Sequence, residues 1–224
     1  MFGKRKAAAR IGSTGSSVST GSTGNGQGKP GDAPAELLDE LAEAGYPAPS
    51  LTELRTSGLK YREAVPVLCA WLPRLERPNQ RESALRALTY RWAAPDAVQP
   101  LITEFRRTDE IGERHRWTVG NALEVMAADA YYDDLVELAL DPAFGTGRQM
   151  VVLGLARCTK SPGRIDVLTS LLDDPDVSGH AASALAKIAD PGSRATLESL
   201  LDDERAWVRK DVRRGLDKID AAQS

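Results

Sequence analysis

The stretch RKDVRRGL, residues 209–216, is the clearest copy of a pattern that decides the fold. It sets a small residue, Gly215, six positions after Arg209, and a leucine, Leu216, directly after the small residue. Four earlier stretches keep these offsets: RESALRAL at 81–88, RWTVGNAL at 116–123, RQMVVLGL at 148–155 and SGHAASAL at 178–185. The five anchor positions are Arg81, Arg116, Arg148, Ser178 and Arg209, spaced 35, 32, 30 and 31 residues apart. A fixed period of this length indicates an internal repeat.

The offsets within each copy have a simple physical meaning. Positions three, six and seven residues after the anchor fall on one face of a helix. The residue at the sixth position is always Ala or Gly, which lets a neighbouring helix approach closely. The residue at the seventh position is a leucine that fills the core, namely Leu88, Leu123, Leu155, Leu185 and Leu216. One unit cannot bury this face alone, so we expect the units to stack into a continuous core.

Another apolar helical segment precedes each anchor helix, such as the one that contains Leu168-Thr169-Ser170-Leu171-Leu172. The breaks between segments carry Pro, Gly and Asp. No segment alternates with the period of two that marks a half-buried strand. Helices are also predicted upstream, where Pro34 starts one and Ser50 caps another, with Glu53 completing a capping box. The sequence therefore predicts helical pairs over residues 61–221 and an N-terminal helical cap over residues 32–60.

Residues 1–31 differ in composition from the rest of the chain. A basic tip with Lys4, Arg5, Lys6 and Arg10 is followed by a tract of Gly, Ser and Thr that cannot bury apolar surface. We expect a disordered tether. The start has no apolar core of a secretory signal and no stretch is long enough to cross a membrane, so we expect a cytoplasmic protein that acts as a monomer.

Composition excludes some function classes. The formal net charge of -3 disfavours nucleic acid as a partner. The two cysteines, Cys69 and Cys158, lie inside apolar helical patterns, and neither histidine stands at zinc-type spacing from them. No nucleophile pairs with His115 or His180, and no phosphate-binding glycine loop occurs. We therefore expect no cofactor and no metal, and the sequence favours a protein without catalytic activity.

The stretch Trp207–Leu216 resembles the second helix of short HEAT-like repeats, the kind found in phycobilisome bilin lyases, and residues 81–88 look the same. Two departures are Ser178 in place of the anchor arginine and a long turn before Arg116. The signatures of tetratricopeptide and ankyrin repeats are absent. The resemblance implies an all-α fold, a right-handed α-solenoid of about five HEAT-like helical hairpins. It also implies that the second helices line a concave side where a partner binds.

Five side chains are candidates for partner binding. Met150 and Leu153 lie off the core stripe of an apolar helix, and Trp117 extends the same surface unless all three pack inside the array. Arg213 and Arg214 belong to a basic last helix. This helix either binds phosphate groups or an acidic protein, or is only the polar end that a repeat array needs. The recurrent arginines Arg81, Arg116, Arg148 and Arg209 either grip an acidic partner or bind carbonyl or Asp groups of the preceding turn, as Asp203 would for Arg209.

Three functions follow from these observations. The leading hypothesis is a non-enzymatic scaffold or adaptor that binds a protein partner on the concave face. The second, which rests on the resemblance alone, is an enzyme of the bilin lyase type or a chaperone for a tetrapyrrole protein. The third is nucleic-acid binding, because some DNA glycosylases are built on HEAT-like repeats, and the net acidity of the chain speaks against it.

Overall fold

A computed structural model describes residues 31–107 and 112–223. Within these ranges every regular element is helical. The α-helices are α1 Ala35–Glu43, α2 Leu51–Thr56, α3 Val65–Trp71, α4 Pro78–Leu88, α5 Ala94–Arg106, α6 Gly112–Met126, α7 Tyr132–Leu140, α8 Gln149–Gly154, α9 Arg164–Ser170, α10 Ser178–Ile188, α11 Arg194–Ser199 and α12 Ala206–Gln223. The predicted tail lies outside the described residues except for Gly31, and part of the long turn before Arg116 also lies outside them.

The helices form consecutive pairs, and the fold is an all-α repeat solenoid, as predicted. Each pair consists of an odd-numbered helix, called the first helix, and the even-numbered helix that follows it, called the second helix. Neighbouring second helices pack side by side from α2 to α12. The pair α1–α2, which the sequence marks only as a cap, continues the array, because α1 packs on α3 and α2 packs on α4.

Local sequence explains where the helices begin. The Glu53 backbone N–H donates to Ser50 Oγ at 3.1 Å, which is the first half of the predicted capping box. Asp32 also binds this helix start, since its carboxylate accepts from the backbone N–H groups of Leu51 at 3.0 Å and Thr52 at 2.8 Å. Proline occupies the first turn of α3, α4 and α5, where its missing N–H costs no helical hydrogen bond.

The repeat leucines lie in one apolar core. Leu88, Leu123, Leu155 and Leu185 are buried, whereas Leu216 is only partly buried, since no described helix follows α12 to cover it. The two cysteines, Cys69 and Cys158, are also buried, and burial raises the pKa of both thiols. Among the helices of residues 31–107 and 112–223, none has the length and apolar character that crossing a bilayer requires.

Candidate partner-binding face

The small residues of the repeat let neighbouring second helices approach closely. A Cβ atom on Gly215 would lie 2.8 Å from the Cα atom of Ala186, and one on Gly154 would lie 3.2 Å from the Cα atom of Glu124. From α5 onward, neighbouring second helices pack more closely than neighbouring first helices do. Tighter spacing on one side bends an array toward that side. We call the free side of the second helices the inner face.

Within the described residues, three grooves follow the inner face between neighbouring second helices. The C-terminal groove lies between α10 and α12 and has a volume of about 420 Å³. The middle groove lies between α4 and α6, and the N-terminal groove between α2 and α4, with volumes of about 180 and 170 Å³. Each groove therefore combines side chains from two consecutive units of the array.

The grooves are more basic than the chain as a whole. Six basic residues line them, against three acidic ones, although acidic residues outnumber basic residues 32 to 29 in the sequence. Two of the acids are already bound: Glu82 pairs with Arg86 at 2.6 Å, and Asp211 accepts a hydrogen bond from Ser183 Oγ at 2.6 Å. The remaining basic side chains are Arg55, Arg114, Lys187, Arg214 and Lys218. These grooves are therefore suited to negatively charged groups.

Apolar side chains occupy the centre of the inner face. Trp117 is 40% exposed, and Met150 and Leu153 are partly buried. Met150 packs beside Gly120, which lies one helical turn after Trp117, because a Cβ on Gly120 would stand 3.5 Å from the Met150 Cβ. Met150 therefore packs against the helix that carries Trp117. Leu153 packs against the core with part of its side chain and leaves the rest accessible.

The structure separates Arg213 from Arg214. Arg214 lines the C-terminal groove together with Lys187 and Lys218, whereas Arg213 does not belong to that lining. Consecutive helical residues point about 100° apart, and Arg213 is exposed outside this lining. Of the two basic candidates from the last helix, Arg214 is the one on the inner face.

The recurrent arginines bind backbone carbonyl groups of their own helical pair. Arg81 donates to the carbonyl of Leu75, which follows α3. Arg116 donates to the carbonyl oxygens of Phe105 at 3.0 Å and Arg107 at 2.8 Å, at the end of α5. The last carbonyls of a helix have no partner within it, and a cation there also interacts favourably with the helix dipole. These arginines tie the end of one helix to the start of the next.

Arg209 follows the same rule but not through the carboxylate proposed for it. Its Nη1 atom donates to the backbone carbonyl oxygens of Asp203 at 2.6 Å and Glu204 at 2.9 Å. The Asp203 carboxylate instead pairs with Arg205 at 2.7 Å. That pairing lowers the pKa of Asp203 through a side-chain hydrogen bond. The carbonyl groups of the turn, rather than its carboxylate, hold the anchor arginine.

A tryptophan that the sequence did not single out lies beside the fourth anchor. Trp207 is 43% exposed, and its ring centroid lies 5.2 Å from that of His180. It covers Gly179, where a Cβ would stand 2.7 Å from the indole ring. Arg205 donates to Ser178 Oγ at 2.9 Å, at the anchor position that lacks an arginine. The sequence feature that indicates this contact is the Ser178-Gly179 pair, because two small residues stand there in place of the larger residues of the other copies.

We expect His180 to make the folded chain sensitive to acid. Burial, followed by the nearby charges of Arg205 and Lys187, lowers the pKa of His180 from 6.5 to about 4. The unfolded chain therefore binds more protons below pH 6.5, so stability falls as the pH drops from 6.5 toward 4. Urea unfolding of His180→Gln across this range should show a smaller loss than the wild type. An equal loss in both proteins would contradict the assignment.

His115 is held by a buried carboxylate. Its Nε2 atom lies 2.9 Å from Glu104 Oε1, and Arg107 Nη1 lies 3.2 Å from Glu104 Oε2. Burial opposes ionisation of Glu104, but the hydrogen bonds from His115 and Arg107 outweigh it and lower the pKa of Glu104. The pair joins α5 to α6 at the edge of the middle groove. The two histidines of the chain are thus in separate settings on the array.

Comparisons with known proteins give one family match and several similar structures. Residues 133–217 match the family model of HEAT repeats, which places those repeats over α7 to α12. Among solved structures, two engineered proteins are similar to the chain. One is 20% identical, with a TM-score of 0.50, and the match covers 83% of this chain and 90% of the other. The second is 21% identical, with a TM-score of 0.47, and the match covers 83% of this chain and 89% of the other. A designed armadillo repeat protein is 16% identical, with a TM-score of 0.46 and coverage of 81% and 99%. No curated protein sequence matches the chain.

Proposed function

We propose that the chain is a non-enzymatic scaffold that binds a protein partner on its inner face, because residues 133–217 match the model of HEAT repeats. The observation that supports this most is the arrangement of that face, where basic grooves flank an apolar centre. Protein interfaces commonly combine a central apolar or aromatic anchor with a polar rim. Trp117, with Met150 and Leu153 beside it, supplies such an anchor, and the groove cations supply the rim.

A matched pair of variants tests this proposal. Trp117→Ala combined with Arg214→Glu removes one exposed aromatic and reverses one exposed cation on the inner face. Leu140→Ala combined with Arg91→Glu makes comparable changes outside the grooves, since Leu140 is 45% exposed on a first helix and Arg91 is exposed. Crosslinking and mass spectrometry in the native host should show specific partner crosslinks falling about tenfold or more for the first variant only. Equal crosslink yields from both variants would contradict partner binding on the inner face.

The second candidate is a bilin lyase or a chaperone for a tetrapyrrole protein. It is favoured by Trp207–Leu216, the segment that resembles the lyase repeats and that forms one wall of the C-terminal groove. Incubation of the full chain with a bilin and an apo-phycobiliprotein separates it from the scaffold. A covalent adduct or bound colour supports the second candidate, and their absence removes it.

Nucleic-acid binding is the third candidate, and the basic grooves are the observation in its favour. Duplex DNA held by charge alone is released steeply as salt rises. A titration of labelled duplex against the chain at several salt concentrations therefore decides this candidate.

We further propose that the chain works as a monomer in the cytoplasm, with residues 1–31 as a tether, residues 32–60 as a cap and residues 61–221 as the repeat domain. Exposed charges on α12, such as Lys210 and Arg213, support a monomer, because charged residues are depleted at the cores of protein interfaces. Sedimentation equilibrium of the full chain gives the mass that checks this.

A further inference from the structure

We propose that the inner face binds an extended acidic peptide segment of the partner, with carboxylates in the middle and C-terminal grooves and one apolar side chain between them. The inference rests on the proposed scaffold function and names the chemistry of the partner. It is carried by the distribution of charge along the inner face and by the spacing of the second helices.

The C-terminal groove is suited to one acidic end of such a segment. Lys187 of α10 and Arg214 and Lys218 of α12 line it from both walls. Of its two acidic residues, Asp211 is bound to Ser183 Oγ at 2.6 Å, which leaves Asp217 as the acid without a hydrogen bond to the groove wall. The groove therefore has three cations and two anions, and its net positive charge attracts carboxylates.

The middle and N-terminal grooves are suited to the other acidic end. Arg114 lines the middle groove and Arg55 the N-terminal groove, and neither is in an ion pair within the described residues. Arg86 is less available because Glu82 already binds it at 2.6 Å. Positive charge is therefore present on both sides of the centre.

The centre of the face favours a peptide over a nucleic acid. Met150 and Leu153 lie on α8 between the charged grooves, and Trp117 adjoins them on α6. Arg157, which follows α8, is paired with Glu124: its Nε atom lies 3.0 Å from Glu124 Oε1. A chain of phosphates would place charge against this apolar centre, whereas a peptide can place a leucine there.

The helix spacing sets the length of the peptide. Packed helices lie about 8–10 Å apart, so the middle and C-terminal grooves, three helix spacings apart, are separated by about 27 Å. An extended chain covers about 3.3 Å per residue, which gives about eight residues between the two acidic clusters. The apolar residue belongs midway, about four residues from each cluster.

A synthetic peptide provides a direct test. The probe is a fluorescein-labelled Gly/Ser peptide with two Glu-Glu pairs about eight residues apart and a leucine midway. Fluorescence anisotropy with the full chain should show saturable binding that Lys187→Glu with Arg214→Glu weakens by about tenfold or more. Arg91→Glu with Lys160→Glu makes the same charge change at exposed positions outside the three grooves and should change binding by less than about twofold. Replacing the peptide leucine by serine should also weaken binding, by about tenfold.

Three results would overturn the inference: no saturable binding, equal weakening by both double variants, or equally tight binding of duplex DNA of matched charge. The scaffold proposal fails separately, when Trp117→Ala with Arg214→Glu leaves the native crosslinks unchanged. Native crosslinks that depend on the inner face, together with no peptide binding, would keep the scaffold and discard the acidic peptide.

Discussion

Arg148→Ala is expected to lower the free energy of unfolding by about 3–5 kcal/mol, because the change leaves a buried polar network without its donor. Arg148 is 1% exposed. Its guanidinium donates to the carbonyl oxygens of Ala139 at 3.0 Å and Gly145 at 3.1 Å, and to Asp174 Oδ2 of the next unit at 2.6 Å. The side chain therefore joins two units of the array, and urea unfolding followed by circular dichroism measures its loss.

An exposed arginine of the same array provides the control. Arg86 pairs with Glu82 at 2.6 Å, but its side chain is 61% exposed, so Arg86→Ala should cost no more than about 0.5 kcal/mol. Arg148→Met separates packing from hydrogen bonding, because methionine restores much of the volume and no donor. If Arg148→Ala lost no more stability than Arg86→Ala, the network would not hold the units together.

The repeat period and its core could be predicted from sequence because both depend on a local pattern. A leucine that recurs with a small residue before it can bury its side chain only where another unit stacks on it, which is why Leu88, Leu123, Leu155 and Leu185 are buried. Leu216 shows the limit of this reasoning. The same pattern precedes it, but burial depends on a following unit, and none of the described residues beyond α12 forms one.

The candidate site was only partly predictable because it is built between units. Lys187 and Arg214 line one groove although they stand 27 residues apart, and no local spacing connects them. The role of the recurrent arginines was left between two interpretations because backbone carbonyl groups have no signature in the sequence. The contact of Trp207 with Gly179 likewise follows from how α12 crosses α10, which a linear pattern does not specify.

Gly215→Leu is expected to destabilise the terminal pair α11–α12 by about 3 kcal/mol, in spite of the better helix propensity of leucine. The propensity gain is about 1 kcal/mol. A Cβ at position 215 would lie 2.8 Å from both the Cα atom and the carbonyl oxygen of Ala186. These are backbone atoms that no side-chain rotation can move away, so α12 has to shift off α10, and overpacking of this kind outweighs the propensity gain.

The shift should be local, because contacts in a repeat array are mostly between neighbours. Hydrogen exchange should become faster in α12, because its buried residues Val212 and Ile219 become accessible to solvent. Exchange in α4 and α6 should stay slow. The C-terminal groove lies between the two displaced helices, so the acidic peptide should bind this variant weakly. Ala221→Leu places a leucine at an exposed position of α12 and should change stability by less than about 0.5 kcal/mol. Unchanged exchange in Gly215→Leu would mean that α12 does not approach α10 as closely as the small residue implies.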